Sequence, residues 1–107
     1  MPTFEPLGAE TRIVLPDAVG PVVHGRMRLF LSDNAAGYTA TAGEGTWLGI
    51  AGKPESVTIY DVIGLSSTVL EDLARMILAS SEAIGLYVRL PNGTVGRFTT
   101  IEVRKSP

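Results

Sequence analysis

His24 is the only imidazole in this sequence, and no cysteine accompanies it. A chain without thiols cannot form a zinc thiolate site, an iron–sulfur cluster, a disulfide or a cysteine nucleophile. One histidine also provides no pair of imidazoles for a metal, and most acidic residues stand in turn-like sequence, where capping is their usual role. The sequence therefore predicts no catalytic residues, no metal and no cofactor.

Glycines recur between Gly43 and Gly52, directly before Lys53, and such a pattern can form a phosphate-binding loop. A P-loop would need glycine at the position of Trp47 and serine or threonine at the position of Pro54. Neither requirement is met. We therefore interpret these glycines as tight turns that pack around the tryptophan.

Three side chains could still line a small-molecule pocket. His24 stands in an apolar stretch, and Tyr60 and Asp61 are adjacent in a later one. An imidazole, a phenol and a carboxylate together supply hydrogen bonding and proton transfer. A lone histidine is more often a hydrogen-bonded structural residue than a catalyst. A pocket of these three residues under the glycine-rich loops is therefore an alternative, for an enzyme or a small-ligand-binding domain.

Basic residues could also form a nucleic-acid surface. The candidates lie on three predicted strands that would have to be neighbours, and they are Arg26, Arg28, Arg89 and Arg97. Phosphate binding depends on an excess of basic residues. The net charge of −2 and the isoelectric point of about 5.3 oppose such binding. Nucleic acid is therefore not expected as a partner.

The elements that position these residues follow from the periodicity of the apolar side chains. The 107 residues, 45% of them hydrophobic, suffice for one domain with one core. Alternation predicts a strand over 22–31, with Met27, Leu29 and Leu31 facing the core. Prolines around 11–15 predict a short edge strand there. Further strands are predicted at 38–42, 46–51, 56–62, 84–90 and 94–104, the last two joined by the turn Pro91-Asn92-Gly93.

One segment instead has the period of a helix. Between about 67 and 82, Leu70, Leu73 and Ile77 fall on one side. Thr68, with Glu71 three residues later, predicts a capping box at the start of the helix. The sequence therefore predicts an α+β fold, a mostly antiparallel β-sandwich or partly open barrel flanked by one amphipathic helix. We expect an extended N-terminal arm at 1–10 and a single domain at 11–107.

Several large apolar side chains are expected on the outside of the protein. Prolines and a glycine keep the arm from forming regular structure. More apolar residues fall on the polar side of the predicted helix and on the outer face of the last strand. Clustered apolar surface marks protein contacts. The predicted protein-interaction residues are Phe4, Leu7, Leu78, Ile101 and Val103.

With no predicted active site, the sequence favours a non-enzymatic structural protein. Such a subunit would assemble with copies of itself, as a homo-oligomer, or with a larger protein complex. By analogy at the level of the fold, helix-flanked β-sandwiches with extended arms occur as virion components of tailed phages, in the capsid, connector or tail. The first alternative is an inhibitor or immunity-type module that binds one protein. The pocket around His24 is the next.

Targeting signals are not apparent in the sequence. The first residues show no basic cluster followed by an apolar run, and no segment approaches the roughly 18 consecutive apolar residues of a membrane helix. We therefore expect a soluble protein with no membrane partner, located in the cytoplasm or the virion and not secreted.

Overall fold

The computed structural model describes residues 2–46, 54–80 and 85–99, which contain five strands and two α-helices. The elements are β1 (Glu10–Pro16), α1 (Pro21–Asn34), β2 (Gly37–Gly45), β3 (Glu55–Ile63), α2 (Ser67–Ser80), β4 (Gly85–Arg89) and β5 (Val95–Thr99), with a 3₁₀ turn at Asp17–Val19. The strands form one antiparallel sheet in the order β2-β3-β1-β4-β5. The predicted α+β fold is confirmed, and the sheet is open rather than closed.

The two faces of the sheet have different roles. Ile13 of β1 pairs with Tyr60 on one side and with Val88 on the other, and paired residues share a face. This inner face packs against both helices. Together they bury Ile13, Leu15, Tyr60, Val62, Leu86 and Val88 of the sheet with Val23, Met27, Leu31, Leu70, Leu73, Ala74, Ile77 and Leu78 of the helices. The opposite, outer face carries the pair Arg12 and Asp61.

The segment predicted as a strand at 22–31 lies within helix α1, so that prediction was wrong. Burial follows the spacing of a helix, because Val23, Met27 and Leu31 are buried at intervals of four residues. Leu29, which the strand interpretation placed in the core, is 65% exposed. The helix begins with Pro21, at a position where the missing N–H has no partner to lose. That proline was the helix signal in the sequence.

Helix α2 confirms the helix that was predicted in the second half of the chain. It buries the leucine and isoleucine side chains predicted for its apolar side, and Ser66 Oγ accepts a hydrogen bond of 3.2 Å from the Val69 N–H as a cap. Leu78 is a correction, since it was predicted to face outward and is only 2% exposed. The reason is that α2 packs on α1 as well as on the sheet, so that a wider arc of the helix is covered.

The position of β1 also differs from the prediction. It lies in the centre of the sheet, between β3 and β4, and not at an edge. Pro16 stands at its end, where it does not interrupt the strand. The hairpin of β4 and β5 forms as predicted, with the Leu90 N–H donating to the Thr94 carbonyl oxygen at 2.8 Å. Gly93 has a φ of 90°, which favours glycine.

The N-terminal segment lies on the surface. Residues 2–9 form no helix or strand, and Phe4 and Leu7 are 88% and 62% exposed. Their role as interaction residues stays a prediction, while Ile101 and Val103 lie outside the described residues, as does most of the predicted strand at 46–51. Among the helices that the structure describes, none combines the length and hydropathy of a membrane span.

Candidate functional site

The two helices leave part of the inner face uncovered at the edge strand β2. Ala40 pairs with Tyr60, so their side chains share this face. Tyr60 is fully buried, whereas Ala40 and the next inner-face residue, Ala42, are exposed. Small residues beside a helix leave room for a ligand. We call this region the β2 shelf: its floor is Ala40 and Ala42, and beside it lies Tyr60, which contacts His24 and Arg28 of α1.

His24 and Tyr60 are joined by a hydrogen bond beside the shelf. Nδ1 of His24 lies 2.7 Å from the Tyr60 hydroxyl oxygen, and Nε2 lies 3.0 Å from the carbonyl oxygen of Pro16. A carbonyl oxygen can only accept, so in the neutral ring Nε2 carries the proton and Nδ1 accepts from the phenol O–H. The network therefore fixes one tautomer and directs the hydroxyl proton of Tyr60 toward His24.

Asp17 continues this network toward solvent. Its Oδ1 lies 3.6 Å from Nε2 of His24 and accepts a hydrogen bond of 2.7 Å from Thr58 Oγ1. Thr58 and Tyr60 share the inner face, because they are two residues apart on β3. The Asp17 side chain is 46% exposed, compared with 12% for His24. A carboxylate accessible to a cationic ligand group therefore stands at this end of the shelf.

Arg28 contacts Tyr60 from the other direction. Its Nε donates to the Tyr60 hydroxyl oxygen at 3.4 Å, and its guanidinium carbon lies 5.9 Å from the centre of the phenol ring. The hydrogen bond to Tyr60 raises the pKa of Arg28, so the guanidinium stays charged. Among the described residues, no carboxylate lies within salt-bridge distance of Arg28. The shelf therefore contains an oriented cation that can take an anionic ligand group.

The structure brings together two of the three residues of the predicted pocket. His24 and Tyr60 are in contact, but Asp61 points to the outer face, because neighbouring residues of a strand face opposite sides. Arg12 Nε donates to Asp61 at 2.7 Å there, and this bond raises the pKa of Arg12. Of the glycine-rich segment predicted to cover the pocket, Gly43 and Gly45 belong to strand β2, and residues 47–53 lie outside the described residues.

Sequence reasoning missed the role of Arg28. The sequence grouped it with arginines of the closing hairpin, but Arg26 and Arg28 lie on α1, while Arg89 and Arg97 lie on the outer face of the sheet. The four arginines therefore do not share one surface of the sheet. Once α1 is known to be a helix, the spacing of His24 and Arg28 puts them on the same side. No group of three potential metal ligands occurs within the described residues.

Two solved structures share this fold. A phage SAM lyase in complex with S-methyl-5'-thioadenosine matches with a TM-score of 0.55 and 17% sequence identity, over 92% of this chain and 95% of that chain. A phage SAM lyase in its apo state matches with a TM-score of 0.62 and 16% identity, over 92% and 94%. At these identities the similarity shows a shared fold. No family model and no curated protein sequence matches this chain.

The functional prediction from the sequence is corrected by this comparison. That prediction was a non-enzymatic structural subunit, by analogy a virion component. Its first alternative was an inhibitor or immunity-type protein-binding module. The chain instead shares its fold, over nearly the full length of both chains, with an enzyme. The error arose because the sequence offered no recognisable catalytic motif, and a missing motif was taken to mean a missing activity.

Proposed function

We propose that this chain is an enzyme of the lyase class that acts on S-adenosylmethionine (SAM) and binds it on the β2 shelf. The observation that carries the proposal is the fold shared with a SAM lyase over 92% of this chain and 95% of that chain. Because one fold can host many functions, the argument also needs a site with suitable chemistry. The hydrogen-bonded cluster beside the shelf is that site.

The reaction follows from the two molecules concerned. S-methyl-5'-thioadenosine is what remains of SAM when the bond between the sulfonium sulfur and Cγ of the methionine part breaks. The bonding pair moves to sulfur, which becomes a neutral thioether. The four-carbon fragment is balanced either by a bond from its own carboxylate oxygen to Cγ or by loss of a proton from Cβ. Sulfur loses its positive charge in both routes, so displacement of water favours the step.

The side chains around the shelf suit such a substrate. Asp17 supplies an accessible carboxylate for the positively charged groups, and Glu44 shares the inner face of β2 with the two floor alanines. Tyr38 is half-buried on the same face, with its ring centre 6.1 Å from that of Tyr60. An aromatic ring of this kind can stack on adenine or face a cation. The shelf therefore offers complementary groups for both ends of SAM.

The direct test is incubation of the purified chain with SAM. We expect S-methyl-5'-thioadenosine to appear with time, as measured by liquid chromatography and mass spectrometry, in equal amount to the SAM consumed. Calorimetry with S-methyl-5'-thioadenosine measures binding separately. Binding without product would mean that the protein is a ligand-binding domain and not a lyase. If the chain neither forms the product nor binds the ligand, the proposal is refuted.

A pair of variants on one strand tests whether the β2 shelf is the site. Ala40→Leu places a larger side chain on the exposed floor, and it should weaken binding by occupying the space. Thr41→Leu is the matched control, because the next residue of β2 is also exposed but faces the outer side of the sheet. Equal binding by both variants would exclude the shelf even if the chain is active.

A further inference from the structure

We infer that Arg28 binds the carboxylate of the amino-acid part of the substrate, and that Tyr60 holds Arg28 in the orientation for this contact. The inference rests on the proposed function for the identity of the ligand. It extends that function by assigning a specificity residue on α1 and a positioning residue beneath it on β3. The ligand class it names is a nucleoside that carries an α-amino acid.

The first argument is the geometry of the guanidinium. Arg28 donates from Nε to the Tyr60 hydroxyl oxygen, and within the described part of the chain neither of its terminal nitrogens has a hydrogen-bond partner. A guanidinium has its donors in a rigid fork that matches the two oxygens of a carboxylate. Because Nε is hydrogen-bonded to the phenol of the fully buried Tyr60, the guanidinium is held beside the shelf. The planar ligand group that fits these donors is a carboxylate.

The second argument comes from a comparison of two arginines in the same molecule. Arg12 on the outer face binds Asp61 through Nε at 2.7 Å and Nη2 at 3.2 Å, so its fork already holds a carboxylate. Arg28 has no such partner among the described residues, and its Nε contacts a neutral phenol. Of these two arginines, Arg12 therefore already binds an intramolecular carboxylate, whereas Arg28 can bind a carboxylate from outside the chain.

The third argument is the direction of the hydrogen bonds at Tyr60. Its O–H is committed to Nδ1 of His24, because Nε2 of that ring donates to the carbonyl oxygen of Pro16. The lone pairs of the phenol oxygen are then available to the Arg28 N–H. His24 thus orients Tyr60, and Tyr60 orients Arg28. Neither needs to touch the carboxylate, so both are positioning residues.

The experiment measures preference for a ligand carboxylate without turnover. S-adenosylhomocysteine keeps the amino acid but has no sulfonium to cleave, and its decarboxylated counterpart differs only by the carboxylate. Calorimetry with the full-length chain should show about tenfold tighter binding of the first, the ratio expected for one charge-assisted pair at an accessible site. In Arg28→Ala this ratio should fall to about one, and Arg28→Lys should be intermediate because an ammonium lacks the fork.

Arg26→Ala is the matched control for charge. It removes the same positive charge from an exposed position of the same helix and should keep the wild-type ratio. Tyr60→Phe tests the positioning role. It should lower the ratio while the affinity for S-methyl-5'-thioadenosine, which has no carboxylate, stays at the wild-type value. A purely structural role for Tyr60 would weaken the binding of all three ligands alike.

The outcomes separate this inference from the lyase proposal. If Arg28→Ala keeps the wild-type ratio, or if the wild-type protein binds both ligands equally, the inference is wrong whether or not SAM is cleaved. If the ratio depends on Arg28 but no product forms from SAM, the lyase proposal fails and the carboxylate site stands. Absence of binding by all these nucleosides would overturn both.

Discussion

Helices α1 and α2 have the same length of 14 residues and pack on the same face of the sheet, but their sequences differ in kind. The side of α2 that meets the core is continuously apolar. On the corresponding side of α1, the polar residues His24 and Arg28 stand beside the buried apolar residues, and Leu29 is exposed. The helix that carries the candidate site therefore lacks the regular apolar pattern by which a helix is recognised in a sequence.

The largest effect is expected in α2, whose buried side consists of apolar core residues. Leu73 is fully buried, and Leu73→Ala should lower the free energy of unfolding by about 2–5 kcal/mol through lost burial and a residual cavity. Ligand affinity of the molecules that remain folded should not change. Chemical denaturation combined with calorimetry below the transition measures both quantities. Loss of affinity in the folded fraction would show that α2 also shapes the site.

A smaller effect on stability and a larger one on function are expected where α1 meets β3. Tyr60→Phe removes a buried hydroxyl that bonds His24 and Arg28, and should cost about 1–3 kcal/mol of unfolding free energy. Product formation from SAM should fall more than in Leu73→Ala, when each rate is normalised to folded protein. If the two variants have equal normalised rates, the functional difference between the helices is refuted.

The cap of α2 provides the next smaller effect. Ser66 Oγ accepts from the Val69 N–H, and Ser66→Ala should destabilise the fold by about 1 kcal/mol. Thr68→Ala is the matched control, because Thr68 was the cap predicted from the sequence, while the hydrogen bond belongs to Ser66. Thermal melts of the two variants compare them directly. A lower melting temperature in Thr68→Ala than in Ser66→Ala would restore the original assignment.

The parts of the molecule that the sequence predicted correctly are those where one local pattern agrees with the final packing. Strand β3, helix α2 and the hairpin after β4 carry strong local signals, namely β-branched residues, a helical apolar stripe and an Asn-Gly turn. The central place of β1 depends on pairing with distant strands, which no local pattern encodes.

The candidate site was harder to predict because it is assembled from different elements. His24 and Tyr60 were named together from their chemistry, but their contact requires α1 to lie across β3. With 22–31 interpreted as a strand, Arg28 could not be placed beside Tyr60, and the shelf on β2 could not be recognised at all. One incorrect element therefore removed both the specificity residue and the space for a ligand.

The smallest expected effect tests that element most directly. The strand interpretation placed Leu29 and Leu31 on one core face, so that either substitution by alanine would cost about 2–5 kcal/mol. In the helix, Leu31 is fully buried and Leu29 is 65% exposed. Leu29→Ala should therefore change the free energy of unfolding by no more than about 0.5 kcal/mol, as for other surface substitutions. At position 29, alanine is also a better helix former than leucine, and this offsets part of any contact that is lost. Leu31→Ala should keep the large cost in unfolding free energy. Urea denaturation of both variants decides between the two structures: similar large losses would place both leucines in a core and contradict α1, whereas a large loss in Leu31→Ala alone requires the helical spacing that brings His24 and Arg28 to the shelf.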